Sequence, residues 1–339
     1  MNSENILITG SSGLVGAPLV TKLLNKSNLI VGLDPVINLE SDEKYKHISI
    51  TSKNVDDFTS ILKKFDITKI IHTGGISGPM LANESPNLII ENNIFFTMNL
   101  IEAARIHKKI NRFIFCSSIS AYGQLSESNT MEDYRFAPEN LYGATKASCD
   151  LLLKKYFENY EMDIISLRLS TIYGYRRSTS CFINDIINSG INNKEITLPF
   201  KSDFCWPYVY VDDVVSCIEK CLFHEKEHFY DYNVSGPDFP SYDKIVKEVS
   251  KHIGDLKVNF SNHNSVSDRK LFSLKKIKND ILWEPEYSIE KGIKDYIDNL
   301  AKKLPFTLGR IYCRFSYLLI LFGDFYGRIM LWSRVCKSF

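Results

Sequence analysis

Short, unbroken apolar runs alternate with longer segments of helical periodicity through the first half of the chain. "NILITG" (Asn5–Gly10), "NLIVGLD" (Asn28–Asp34), "ITKIIHTGG", "RFIFCSS" and "DIISLRLS" read as strands with no polar face. Between them, "GAPLVTKLLNK", "VDDFTSILKKF", "NIFFTMNLIEAARIH" and "LYGATKASCDLLLKKYFENY" read as amphipathic helices. Strands that are apolar on both sides and separated by helices belong in a parallel sheet covered on both faces. The pattern predicts a doubly wound α/β architecture, a Rossmann fold, over residues 1–170.

Past Thr171 the alternation weakens. "YGYRRSTSCFINDIINSG" reads as a loop and a helix, "PYVYVDDVVSCIEKCLF" as a strand running into a helix, and "SYDKIVKEVSKHIG" as a helix before the breaker-rich "SNHNSVSDRK". These pieces predict a smaller mixed α/β substrate domain over 171–304, with the segment 208–235 returning to the first domain. Residues 305–339 form a separate C-terminal extension.

Composition narrows the class of protein. With 339 residues, 44% hydrophobic and 24% charged, the chain can bury a sizeable core. A formal net charge of +1 gives no general attraction to nucleic acid. The eight cysteines are scattered without a CxxC pair, as expected of free thiols in a reducing, cytoplasmic setting, and no metal cluster is expected. "MNSENILITG" runs directly into a strand, so no secretory leader is expected.

The strongest chemical signal is "TGSSGLVG", which sets Gly10, Gly13, Leu14, Val15 and Gly16 between a strand and a helix. Glycines there allow a tight turn and close approach of the backbone to a pyrophosphate, which the helix N-terminus attracts. Asp34 ends the second strand at the distance expected of an acid that accepts hydrogen bonds from both ribose hydroxyls. Because that carboxylate repels a 2′-phosphate, NAD is expected over NADP. Gly74, after "IIHTG", leaves room for a ligand at the sheet edge, while His72 in the same strand is expected to be a packed core residue.

"YGATK" places Tyr142 and Lys146 one turn apart on a single helix face. A free tyrosine titrates near about pH 10, and a neighbouring ammonium favours its phenolate. Such a phenol can remove a proton from a substrate hydroxyl as hydride leaves the same carbon. "FIFCSSISAYG" ends another strand in small polar residues, which read either as a polar turn capping the next helix or as a hydroxyl aimed at that substrate.

Taken in this order, the motifs resemble the extended short-chain dehydrogenase/reductase superfamily, in particular its sugar-nucleotide epimerases and dehydratases. The resemblance runs from about Asn5 to Leu300 and continues through "LRLSTIYG", "YVYVDD", "YNVSG" and "LWEPEYSIEKGI". It implies catalytic roles for Ser118, Tyr142 and Lys146, with NAD held by the glycine loop, Asp34, Gly74, Tyr142 and Lys146. Dehydratases of this kind carry an Asp-Glu pair after the catalytic Ser/Thr, where this chain has Ile119 and Ser120. The pattern therefore implies a 4-epimerase of the UDP-glucose type. A sugar dehydrogenase with net redox turnover and a non-catalytic NAD-binding regulatory module are the alternatives.

Three positions depart from the resemblance. Ser49 in "ISIT" replaces an acid that meets adenine, Thr171 replaces an Asn, and Trp206 replaces an Arg that clasps the substrate diphosphate. Substrate contacts are expected from Ser118, Thr171, Arg177, Trp206 and Arg269, with Arg176, Arg177 or Arg269 to supply positive charge. The partner implied is a sugar or nucleotide sugar, and the resemblance further implies a homodimer.

Other features carry less. "HEKEH" (His224 to His228) matches a zinc-protease spacing but reads as a solvated helix end. Cys217 and Cys221 read as a core stripe, and Asp212 and Asp213 as helix caps. The extension 305–339 mixes aromatic and basic residues, which suits peripheral contact with a membrane surface or packing against the body or a second subunit.

Overall fold

The computed structural model describes residues 4–37, 42–50, 53–78, 85–125, 129–225, 230–264 and 270–303. Elements run in the order β1 (Asn5–Thr9), α1 (Gly16–Leu23), β2 (Leu29–Leu33), β3 (Tyr45–Ile48), α2 (Val55–Lys64) and β4 (Lys69–His72). Then come α3 (Pro86–Ile90), a π-helical turn (Glu91–Phe95), α4 (Phe96–His107), β5 (Arg112–Ser118), a 3-10 turn (Ile119–Ala121), α5 (Leu141–Tyr160) and β6 (Ile164–Leu169). The remainder comprises β7 (Thr171–Tyr173), α6 (Phe182–Ile191), β8 (Ile196–Leu198), β9 (Tyr208–Tyr210), α7 (Val211–Leu222) and β10 (Tyr230–Val234). It closes with α8 (Tyr242–Ile253), β11 (Val258–Phe260), α9 (Lys275–Ile281) and α10 (Ile289–Lys303).

Seven parallel strands form one sheet in the order β10-β6-β5-β4-β1-β2-β3. The unbroken apolar runs have a direct cause: both faces are dry. On β1, Ile6 and Ile8 join one core cluster and Leu7 the other, and all three are fully buried. The same division separates Ile114 from Phe113 and Phe115 on β5. Two small parallel pairs, β7 with β9 and β8 with β11, build the remainder.

Because β2 and β4 flank β1 on opposite sides, the connections leaving β1 and β3 diverge. They open a crevice at the carboxyl ends of the strands, where ligands bind in such sheets. Among the described residues no helix is long and apolar enough to cross a membrane, and no His, Cys, Asp or Glu cluster could hold a metal. Cys217 and Cys221 lie fully in the core, and His72 is buried within β4.

The expectation that Asp212 and Asp213 cap a helix needs correction. The N-cap of α7 is Tyr210, and the two acids lie in the first turn. Asp213 accepts hydrogen bonds from the backbone N–H of Glu286 (2.8 Å) and Tyr287 (3.1 Å), fastening the segment before α10 to the start of α7. In "HEKEH", helix α7 has already ended at Leu222 before His224. The rest of that motif from residue 226 on, and the extension 305–339, lie outside the described residues.

Candidate active site

A cavity of about 1100 Å³ opens at the crevice. Its floor is the pair of glycine turns after β1 and β4. Gly10 has φ of +68°, and a Cβ there would lie 2.9 Å from Gly74 Cα, so the two turns touch backbone to backbone. Thr9 Oγ1 accepts from the Gly74 N–H at 3.0 Å, and Thr73 Oγ1 donates to the Thr9 carbonyl at 2.7 Å. Gly10, Gly13, Leu14 and Val15 line the cavity at the start of α1. Gly16 does not line it. A Cβ at Gly16 would fall 2.1 Å from the Gly10 carbonyl oxygen, so this glycine lets helix and loop close on each other.

Asp34 also lines the cavity, and its carboxylate accepts the N–H of Ser12 (3.1 Å) and of Val36 (2.9 Å). These bonds fix the acid beside the loop, and each oxygen keeps acceptor capacity. The glycine cradle, the helix N-terminus and the oriented carboxylate together fit the diphosphate and ribose of NAD.

At the other end of the cavity, Ser118 is the last residue of β5. Its hydroxyl accepts the Ser120 N–H at 3.1 Å and keeps its own proton to donate. Helix α5 is capped by Asn140, whose side chain accepts the Gly143 N–H at 2.8 Å, placing Tyr142 in the first turn. Gly143 matters beyond the motif. A Cβ there would sit 2.4 Å from the Ser120 carbonyl oxygen, so its absence lets α5 abut the serine turn. Lys146 lies one turn further, its ammonium donating to the Cys116 carbonyl at 2.8 Å and lying 6.0 Å from the Tyr142 ring centre. Ser118, Tyr142 and Lys146 all line the cavity.

Buried polar contacts hold this arrangement from behind. Asp150 on α5 accepts from Ser117 Oγ (2.9 Å), Ser166 Oγ and Arg168 Nε (3.3 Å), tying the helix to β5 and β6. Burial raises its pKa and the Arg168 guanidinium opposes that rise. In the π-helical turn, Asn93 exchanges hydrogen bonds with the backbone of Ile76 (2.9 and 3.1 Å) and donates to Thr145 Oγ1 (3.0 Å). One amide thus joins the loop after β4 to the helix bearing Tyr142. Sequence reasoning missed Asn93, Asn140 and Gly143. The caps are visible in retrospect as an Asn three residues before a helical N–H, whereas a π-helical turn leaves no sequence pattern to read.

The outer wall is aromatic. Phe200 stacks on Tyr242 with ring centres 4.8 Å apart and planes 5° from parallel, and both line the cavity with Trp206 and Tyr208. Trp206 Nε1 donates to Thr171 Oγ1 at 2.8 Å, joining two of the expected substrate contacts into a neutral pair. Arg177 lines the cavity, but its guanidinium donates to the carbonyls of Ile172 (2.5 Å), Thr179 (3.2 Å) and Ser180 (3.2 Å) and so braces its own loop. Arg176 lies against the Tyr175 ring, outside the cavity lining. Arg269 lies outside the described residues.

Comparison with known proteins matches this geometry to a family. Protein CapI of Staphylococcus aureus is 24% identical over 331 residues, spanning 86% of this chain and 97% of that protein. A dTDP-D-glucose 4,6-dehydratase of Dictyostelium discoideum is 29% identical over 259 residues, 70% of this chain and 59% of its own length. The solved UDP-glucuronic acid 4-epimerase from Bacillus cereus, in complex with UDP-glucuronic acid and NAD, superposes with a TM-score of 0.80 at 25% identity. It covers 88% of this chain and 100% of its own. A model of the NAD dependent epimerase/dehydratase family matches residues 6–235, from the first strand of the sheet to just past the last. By fold, cofactor cradle and this match, the chain belongs to the NAD-dependent epimerase/dehydratase family.

Proposed function

We propose that the protein is a nucleotide-sugar 4-epimerase that uses NAD. The observation that carries this reading is the turn after β5. Ser118, Tyr142 and Lys146 share one cavity wall, while Ile119 is buried and Ser120 is neutral. Elimination of water needs a further acid and base, and neither side chain can supply one. A proton shuttle without elimination remains.

The residues divide the work. Ser118 orients the sugar hydroxyl, Tyr142 takes its proton, and Lys146 sets its ammonium beside the Tyr142 ring, 6.0 Å from its centre. NAD, held by Gly10, Gly13, Leu14, Val15, Gly74 and Asp34, supplies a hydride acceptor and donor when bound. The stacked aromatic wall offers apolar surface to the rest of the substrate, and Tyr142 returns its proton once the sugar has presented its other face. No net redox change results.

The test is to incubate purified protein with a panel of nucleotide sugars and free sugars while recording NADH absorbance. Isomer formation without NADH accumulation supports the epimerase, and stoichiometric NADH means a dehydrogenase. Tyr142→Phe should abolish turnover and leave NAD affinity nearly unchanged; turnover retained in that variant sinks the mechanism. The neutral Thr171–Trp206 pair favours a second reading, a sugar carried without a diphosphate, and the free sugars in the panel address it.

Two partner readings accompany this function. Exposed Phe95, Leu152 and Tyr160 around α4 and α5 favour a homodimer through these helices, tested by light scattering. The aromatic and basic composition of 305–339 favours peripheral membrane contact, tested by liposome binding with and without that segment.

A further inference from the structure

The cofactor arm of the cavity holds a cation that the functional reading leaves without a task. With the diphosphate at the loop after β1 and the nicotinamide beside Tyr142, the adenosine half must extend past Asp34. Leu33, Asp34, Pro35, Ile50, Lys53 and Asn92 line that end. Asp34 is oriented for ribose hydroxyls. Ser49 turns its hydroxyl to the Pro35 carbonyl (3.4 Å) and does not line the cavity. Asn92 has both ends of its amide engaged, accepting from Lys53 Nζ and donating to the Leu88 carbonyl at 2.8 Å.

Lys53 is different. Its backbone carbonyl accepts from Asn99 Nδ2 at 2.8 Å, which pins it to α4. Its ammonium is held by Asn92 and lies 4.9 Å from the centre of the Phe96 ring. Burial lowers its pKa and the field of Glu91 opposes that, and among the described residues the ammonium has Asn92 as its hydrogen-bond partner and makes no ion pair. A half-buried ammonium with N–H groups to spare, fixed at a ligand cavity and in no ion pair among the described residues, has donors to offer an acceptor on the ligand.

Resting on the NAD reading, we propose that Lys53 recognises the adenine base, donating a hydrogen bond to one of its ring nitrogens. Those nitrogens are the acceptors of the adenosine half that neither the glycine loop nor Asp34 addresses. The consequence is selectivity for the base through a donor-only group.

The test titrates the full-length protein with NAD and with NAD analogues whose adenine N1, N3 or N7 is replaced by carbon, following heat by calorimetry. A charge-assisted hydrogen bond predicts that one analogue binds wild-type protein about tenfold more weakly than NAD. Lys53→Met should weaken NAD by a similar factor and bind that analogue and NAD alike, whereas Lys53→Arg should keep the discrimination. Equal binding of NAD and all three analogues by wild-type protein overturns the proposal, and this needs no variant to fold. A Lys53→Met variant that weakens NAD and every analogue equally, with the wild-type preference retained, also overturns it and assigns Lys53 to the phosphates. Failure of wild-type protein to bind NAD at all refutes the cofactor reading itself.

Discussion

His72 should make this fold acid-sensitive at the floor of its cofactor cleft. The ring is buried in β4 between Thr9 Oγ1 (2.6 Å) and Thr97 Oγ1 (2.9 Å), with Phe96 edge-on at 4.9 Å. Burial first, then the ammonium groups of Lys146 and Lys53, pushes its pKa down to about 3. In the unfolded chain a histidine takes up its proton near about pH 6.5, so between these values the unfolded state binds a proton that the native state refuses. The stability contribution is therefore complete above about pH 6.5 and is lost as pH falls toward about 3, at up to about 1.4 kcal/mol per pH unit. Between pH 8 and pH 5 the loss from this one group comes to about 2 kcal/mol. Urea denaturation across that range, compared with His72→Gln, isolates it, because the glutamine stays neutral and other titrations cancel in the difference. The wild-type curve should fall about 2 kcal/mol further than that of the variant. Parallel curves would show that His72 does not resist protonation and would refute the reasoning.

Two other substitutions probe the supports of the site. Asp150→Ala leaves the buried Arg168 short of one carboxylate and two serine hydroxyls short of an acceptor. It should cost about 3 kcal/mol in denaturant unfolding, and an unchanged midpoint would show that Asp231 alone suffices for Arg168. Gly143→Ala drives a methyl group against the Ser120 carbonyl, so kcat should fall at least about tenfold while calorimetric NAD affinity stays within about twofold. Equal losses in both would mean that the whole crevice has shifted.

Much of the architecture is legible in the sequence because it rests on local periodicity. Strands buried on both faces are unbroken apolar runs, and the phosphate turn needs glycine at fixed places. Tyr142 and Lys146 stand out because they share one helix turn, whereas the choice of Ser118 among the serines ending β5 comes from the family resemblance. What stays hidden depends on contacts between distant segments. Nothing near Lys53 in sequence announces that Asn92 and Phe96 hold its ammonium at the cavity wall. Arg177 looks available for phosphate until its loop folds back and three carbonyls engage it. Asp213 looks like a cap until the segment around Glu286 arrives to meet it.

The position of β10 has a consequence for how the chain is made. Strand β6 has β5 on one side and receives its other neighbour only when Tyr230–Val234 has been synthesised. Arg168 on β6 likewise waits for Asp231. Until then the emerging chain carries an open strand edge with unpaired backbone groups, the kind of surface that recruits other chains. A fragment stopping near Ser170 would keep the cofactor cradle and lose the strand that closes its sheet. The two halves of this protein are thus coupled on the ribosome, where the second half acts as the cover for the first.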